Sequence, residues 1–381
     1  MTDAQETTTG ARLRAVRQAR ELSQYAVARM AGVSRQAVSN VESGLSEPSL
    51  RVAFALSRAL GMTVEDLFGP ANRPPSIPVR PVAPPGGDGA RVTLASVGDQ
   101  LVALPLRGGA TSRSGFLPAS GLITQSEHDP AGTGNARPVG TLRPTLVAAG
   151  CDPALPLLEA PLALLDPPIA FTWWQCSSRQ ALALAAAGLV HVAGTHLRWQ
   201  GDDYTASPAA ELLPQGGQVI RFSSWQEGLV LRPELAGEVS GIKAAARLGL
   251  RLVNREPGAE ARSLLDRELT AAEIQPSQLP GYNTQATGHL HVAAAIAAGL
   301  ADAGIASEPA ALAYGLAFIP LASEHFDLVI PAAHLNAREV QGLLKVLSST
   351  WLLDQIANLP GYDPARCGEQ LGTLRPLPSS A

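Results

Sequence analysis

Eleven of the 22 residues from Gly69 to Ala90, GPANRPPSIPVRPVAPPGGDGA, are proline or glycine. No helix interior tolerates that density: each proline lacks an amide donor and fixes φ, and each glycine loses much backbone freedom on ordering. The stretch has no periodic apolar pattern and is expected to be a semi-extended linker over 70–90. It divides a chain of 381 residues into a short head, 1–69, and a long body. Each must build a core of its own, consistent with the two or three domains this length allows.

The head is punctuated for short helices. Leu13, Val16 and Ala19 form a helical stripe. Ser23 can cap a second helix over Gln24–Met30, and Gly32 supplies the positive φ of a tight turn. Ser34 caps a third helix running to about Ser43, anchored through Ala37, Val38 and Val41. Segments Leu50–Leu60 and Val64–Phe68 complete five. On the third helix Arg35, Gln36, Ser39 and Asn40 share the outward face. An arginine there can fork onto guanine O6 and N7, and a glutamine can pair with adenine. The alternative is a five-helix bundle with merely solvated polar residues. Residues 1–69 hold eight arginines and no lysine against seven acids. Few phosphates can then be neutralised, and useful affinity calls for a homodimer reading two half-sites of double-stranded operator DNA.

The stretch LSQYAVARMAGVSRQAVSNVESG resembles the helix-turn-helix of the Cro/CI-type (XRE) repressor family, over roughly residues 10–69. The resemblance implies an all-α DNA-binding domain in which Gln24 clamps a phosphate while Ser34, Arg35, Gln36, Ser39 and Asn40 face the duplex.

In the body, RVTLASVGDQLVALPL alternates in two runs around VGDQ, a hairpin signal, and 91–142 is read as a small β-rich element. From 143 strand and helix patterns alternate: TLVAAG, IAFTWW, LVHVAGTHL and LRLVN read as strands, QVIRFSSWQEGLVLRP as a long strand or crossing segment and AFIPLASEHFDLVIP as returning strands, with helices between, one of them capped by Ser177 or Ser178. NAREVQGLLKVLSSTWLLDQIANL reads as one long closing helix. Repeated βα units predict an α/β domain with a mostly parallel sheet covered on both faces. Ligands in such sheets bind beyond the carboxyl ends of the strands, where helix starts converge. Four such turns carry small or hydroxylated residues: Cys151–Asp152, Cys176–Ser177–Ser178, Pro257–Gly258–Ala259 and Thr287–Gly288–His289. Free amides and hydroxyls at helix starts suit an anion or an oxygen-rich small molecule.

The histidines carry different readings. His289 and His291 are two apart, which is wrong for joint metal capture on a helix, and no metal is expected. His289 is open between ligand contact and structural cap; His291 reads as packing. His196, ending GTHL, falls near the cleft, and His191 reads as structural. Arg255 and Arg262 either pair an anionic ligand or tie Glu256 and Asp266.

GCDPAL, HVAGTHL, VNREPGAEARSLLDREL, GYNTQATGHLHVAAAIAAGLADAGI and AFIPLASEHFDLVIP resemble the periplasmic-binding-protein-like domain attached to bacterial regulators of the molybdate-responsive kind. The resemblance implies a two-lobed (type II) domain over 143–363, with a hinge, a ligand between the lobes and a tail over 364–381. It implies molybdate or tungstate as the effector. It also implies a cleft formed by Cys151, Asp152, Ser177, Ser178, Thr195, His196, Gly258, Ala259, Arg262, Tyr282, Thr287 and His289. Trp173, Trp174 and Trp225 offer flat surfaces a bare oxyanion does not need, so an organic, ring-bearing ligand stays open.

Composition narrows the classes. Net charge is −4, so any nucleic-acid contact must be local. Three cysteines without a CxxC pair argue for a reducing compartment and against a structural zinc site. No signal-peptide core and no run of about eighteen apolar residues is found, which reads as cytoplasmic with no membrane partner. No HExxH, P-loop or dinucleotide fingerprint occurs, so no enzyme is expected. The expectation is a ligand-responsive DNA-binding transcription regulator; the alternative is a cytoplasmic enzyme or ligand-scavenging protein using the same cleft.

Overall fold

The computed structural model describes residues 9–69, 76–107, 116–125, 133–197 and 207–376, and the chain forms two compact units, Met1–Pro75 and Ser76–Ala381. The first unit is helical: α1 (Thr9–Ala19), α2 (Gln24–Ala31), α3 (Arg35–Glu42), α4 (Leu50–Ala59) and α5 (Val64–Phe68). Serine hydroxyls start three of them. Ser23 accepts from Ala26 N, Ser34 from Ala37 N and Ser49 from Val52 N, each satisfying an amide the helix leaves without a partner. Gly32, at φ +64°, ends α2 and turns the chain toward α3. Leu13, Val27, Ala28, Val38, Val41, Leu56, Leu60 and Leu67 make the core. Ala19, expected on the buried stripe, is exposed.

The second unit begins with a closed barrel, ordered β1 (Ile77–Pro81), β3 (Gln100–Pro105), β2 (Arg91–Val97), β4 (Gly121–Gln125), β5 (Gly134–Pro138). This corrects the linker reading, because β1 lies within 70–90. Proline is accommodated because the strand changes neighbours midway. Residues 77–79 register with β5 and 80–81 with β3, so few ladder donors are demanded of it. One barrel face makes its own core around Val92, Leu94, Ile123 and Ala136. The other sends Val82, Ala95, Val97, Val102 and Leu104 into the core of the domain that follows.

That domain is built on a ten-stranded sheet. The first lobe holds β6 (Thr145–Gly150), β7 (Ala170–Gln175) and β8 (Val192–Thr195), with α6 (Glu159–Ala163), α7 (Ser178–Ala186) and α8 (Pro208–Leu212). Two fifteen-residue strands, β9 (Gly217–Leu231) and β13 (Ala317–Pro331), run antiparallel from this lobe into the second. The second lobe holds β10 (Leu252–Arg255), β11 (Gln285–Ala286) and β12 (Ala303–Ser307), with α9 (Ile242–Arg247), α10 (Glu260–Ala271), α11 (His289–Ala297) and α12 (Glu308–Ala313). The chain then returns through α13 (Arg338–Leu347), α14 (Thr350–Ala357), β14 (Tyr362–Asp363) and β15 (Gln370–Leu374).

Three expectations are corrected. The sheet is mixed: β6 pairs in parallel with β7 and β8, and β10 with β11 and β12, but β9 and β13 oppose their neighbours. A chain that crosses between lobes twice must cross in opposite directions. The single closing helix is two, because Ser349 caps α14 by accepting from Leu352 N. The tail over 364–381 contains β15, which pairs with β9. Separate cores fill the two lobes, Leu146, Leu155, Phe222 and Phe326 among those of the first, Leu229, Leu265 and Ile305 among those of the second.

Candidate functional site

In the first unit, Arg35 and Gln36 are exposed at the start of α3, and Ser39 and Asn40 are half-buried one turn on. Gln36 Nε2 donates to Asn40 Oδ1 at 2.8 Å, which pre-aligns two amide side chains on the outward face. Beneath them Glu42 is buried. It accepts from Arg17 Nε at 2.6 Å, from Arg17 Nη2 at 3.0 Å and from Gln24 Nε2 at 2.9 Å. Burial works against its charge, but Arg17 and Gln24 outweigh that and hold the carboxyl below its ordinary range. Gln24 is thus oriented from below by an acid that the sequence pattern did not single out.

In the second unit, three helix starts meet where the lobes face each other. Ser177 caps α7 and is locked by a reciprocal box with Gln180. Gly258, just before α10, has φ +86°, and a Cβ there would lie 3.6 Å from Ser177 Oγ. Gly288, at φ +84° before α11, sits so close to Gln175 of β7 that a Cβ would overlap its amide. Only glycine serves at that contact between lobes.

Between these starts lies a group of fully buried polar side chains. His196 follows β8 in the first lobe, and its backbone amide donates to Ser178 Oγ at 3.2 Å. His289 opens α11 in the second lobe; its Nδ1 accepts the Ser307 amide at 3.2 Å. The two rings are 5.7 Å apart. The crossing strand β9 supplies Trp225 and Glu227, with Glu227 oxygens 3.9 Å from His196 Nδ1 and 3.6 Å from His289 Nδ1. Arg255, at the end of β10, forks onto Glu256 through Nε and Nη2 at 2.8 and 2.9 Å. Among the described residues, Trp225 Nε1, Arg255 Nη1, His289 Nε2, Ser307 Oγ, both His196 ring nitrogens and both Glu227 oxygens are buried without a hydrogen-bond partner. Buried polar atoms are normally paired, so this concentration at one place between two lobes marks a candidate binding site.

Its electrostatics follow from burial. Desolvation pushes His196 down to about 3, helped by the Arg255 charge, and carries His289 the same way. Both rings are neutral at pH 7, and their approaches to Glu227 are not ion pairs. Desolvation, then the neighbouring Glu324, pushes Glu227 up to about 8. Burial also pushes the Cys151 thiol up, which keeps it protonated. Cys151, His196 and His289 bring ligand-type atoms within 4.8 Å of one another, as do His196, Glu227 and Glu324. However, the lone pair of His289 Nδ1 already accepts from Ser307, so Nε2 of the neutral ring carries the hydrogen and donates. Trp225 and Arg255 can only donate. The set is rich in donors and fits a ligand rich in acceptors.

The other residues the sequence pointed to fall around this group, some inside and some beyond it. Cys151, Thr195, His196 and His289 lie in or against it. Thr195 Oγ1 accepts from Leu197 N, and Ala259 is the buried residue before α10. Asp152 is buried but fully engaged, accepting from Ala154 N at 2.8 Å, Ser223 Oγ at 3.0 Å and Tyr362 Oη at 2.7 Å. Arg262 lies over the Tyr282 ring at 4.9 Å, and Tyr282 Oη donates to Asp266. Arg262 Nη1 also donates to the Arg255 carbonyl at 3.1 Å, which ties it to a member of the buried group, whereas Thr287 is exposed. His291 is exposed too, against the packing role expected of it, with its ring on the Thr287 carbonyl. His191 accepts from Val147 N inside the first lobe. Arg255, open between two roles in the sequence, both ties Glu256 and turns Nη1 to the group. Glu227 and Ser307 are site residues that the sequence reading does not contain. For Glu227 a signal exists: alternation along β9 puts it in phase with Ser223 and Trp225, so an acid falls on the buried face.

The family profile described as helix-turn-helix matches residues 13–67, and that described as PBP superfamily domain matches residues 160–348. A Methanocaldococcus jannaschii HTH-type transcriptional regulator is 37% identical over 57 residues, 15% of this chain and 86% of that one. A Clostridium pasteurianum protein of the ferredoxin 2Fe-2S gene 5′ region is 33% identical over 107 residues, 28% and 95% of the two chains. The Bacillus subtilis protein YvgK is 31% identical over 142 residues, 37% of this chain. The chain spans 46% of YvgK's own length. The chain belongs to the XRE-type helix-turn-helix proteins and carries, beyond that helix-turn-helix domain, a two-lobed domain of the PBP superfamily. Among the described residues no helix is long and apolar enough to cross a membrane.

Proposed function

We propose that this is an effector-responsive transcription regulator of the cytoplasm, acting as a homodimer on operator DNA. Its effector is a small, acceptor-rich anion held between the lobes of the second unit. The observation carrying this reading is the set of buried donors without partners, Trp225 Nε1, Arg255 Nη1 and His289 Nε2, contributed by the crossing strand and the second lobe and facing His196 of the first. Three fixed donors, one of them a guanidinium, suit a tetrahedral oxyanion or an anionic group of a larger ligand. Molybdate and tungstate are the first candidates. In the head, Arg35 and Gln36 read base edges, while Gln24, Ser34, Ser39 and Asn40 set the helix against the backbone.

Thermal unfolding with molybdate, tungstate, sulfate and an organic phosphate, followed by mobility shifts on the chain's own promoter DNA with and without the stabilising anion, tests the reading. At least one anion should raise the unfolding temperature and change the DNA affinity. If none does either, the anion reading fails. The double variant Arg35→Ala, Gln36→Ala should lose operator selection and keep anion affinity; unaltered selection would mean α3 is not the reading helix.

A further inference from the structure

We propose that the cleft takes up its anion together with a proton, which Glu227 holds and donates to the ligand. The inference rests on the anion reading above and adds what that reading leaves open, the charge state in which the site is competent.

The argument is one of charge and donors at a single buried place. Arg255 is the cation closest to hand, but two of its nitrogens are committed to Glu256, so the pair is neutral as a unit. His196 and His289 meet Glu227 from either lobe as neutral rings. Protonating His289 at Nδ1 would break its bond from the Ser307 amide. From β13, Glu324 is buried opposite Trp225 in the register and adds a like charge. From α10, Glu260 adds another and Arg267, bonded to it at 2.6 Å, offsets it. Cys151 faces the group as a thiol. Among the described residues, an ionised Glu227 would therefore meet an incoming anion with no uncommitted cation between them, and repulsion between close buried charges is strong. A neutral Glu227 meets it with an O–H donor instead. The raised carboxyl range near 8 agrees with this geometry. The step is simple: dianion, carboxylate and one solvent proton combine to give the bound dianion hydrogen-bonded to a carboxylic acid.

The test uses the full chain and titrates molybdate and sulfate, both fully deprotonated from pH 6.5 to 9.5. Affinity should be flat at the acid end and fall by about tenfold per pH unit once Glu227 ionises in the free site. Glu227→Gln keeps shape and a neutral donor; it should bind within a few-fold of the wild type at pH 6.5 and lose the fall at high pH. If Glu227→Gln retains the wild-type slope, or the wild type shows none, the proton is not on Glu227 and the proposal is wrong while the anion reading stands. Should the variant fold poorly, calorimetry of the wild type at pH 9 in two buffers of different ionisation enthalpy counts protons directly. About one proton taken up per anion is expected, and none overturns the proposal. If no oxyanion binds wild type or variant at pH 6.5, the anion reading falls and the proton inference with it.

Discussion

Two buried carboxylates, one in each unit, have opposite relations to pH. Arg17 and Gln24 hold Glu42 below its ordinary range, so its contribution to stability is present above that range and lost as pH falls through the folded value. Burial pushes Asp152 up to about 6. Its contribution is present below the ordinary aspartate range and is lost as pH rises through about 6. Calorimetric unfolding from pH 4 to 7 should show Glu42→Gln removing stability that grows with pH, and Asp152→Asn removing a loss that grows with pH. Parallel profiles for the two variants would contradict the assignment. At the cleft, Arg255→Lys keeps the charge beside Glu256 but cannot fork and reach the ligand together. Titration should show anion affinity down by about tenfold or more, roughly one charged hydrogen bond, with little change in unfolding temperature.

At the level of elements, the best-read helices are those with serine at the start. Ser23, Ser34 and Ser177 cap as the pattern foretells, and Ser49 does the same for α4. Ser34→Ala should destabilise the head by about 1 kcal/mol, readable in its thermal transition. What the sequence conceals is of other kinds. Proline density at 70–90 looks like a tether because the barrel that tolerates it is assembled from residues up to 138. Alternation in β9 and β13 is visible, but that one strand serves two lobes is a matter of distant pairing. Cleft residues at helix starts are legible as turn chemistry. Ser307, absent from the sequence reading, carries the same signal, standing at the N-cap position of α12 before Glu308 and Pro309. Arg255 is legible only as an open choice, since nothing local separates a strand-end residue facing the cleft from one facing solvent. Close packing inside the first lobe makes its own prediction. A Cβ on Gly194 of β8 would lie 2.3 Å from the Phe326 ring, so Gly194→Ala should destabilise the second unit by about 1–3 kcal/mol. An unchanged melting temperature would mean the ring moves freely aside.

For the whole molecule, the proposed function puts operator binding in the helix-turn-helix head and effector binding in the two-lobed domain of one chain, so any coupling must be reciprocal. If saturating anion changes operator affinity by some factor, saturating operator must change anion affinity by the same factor. Paired titrations that disagree would show that the two events are not linked through a single pair of states. The near balance of eight arginines and seven acids in residues 1–69 predicts a shallow salt dependence, one phosphate neutralised for about each unit of slope. A steep slope would place extra phosphate contacts outside the helix-turn-helix.

The strand β9 has neighbours drawn from late in the chain: β12, β13, β14 and β15 all pair with it. During synthesis residues 217–231 therefore leave the ribosome about 150 residues ahead of their last partner, β15. The five helices of the first unit have every partner within 75 residues and can be finished long before. On the proposed function, a nascent chain should thus acquire the ability to grip DNA well before it can respond to an effector. An interrupted copy would be a regulator that reads but does not listen.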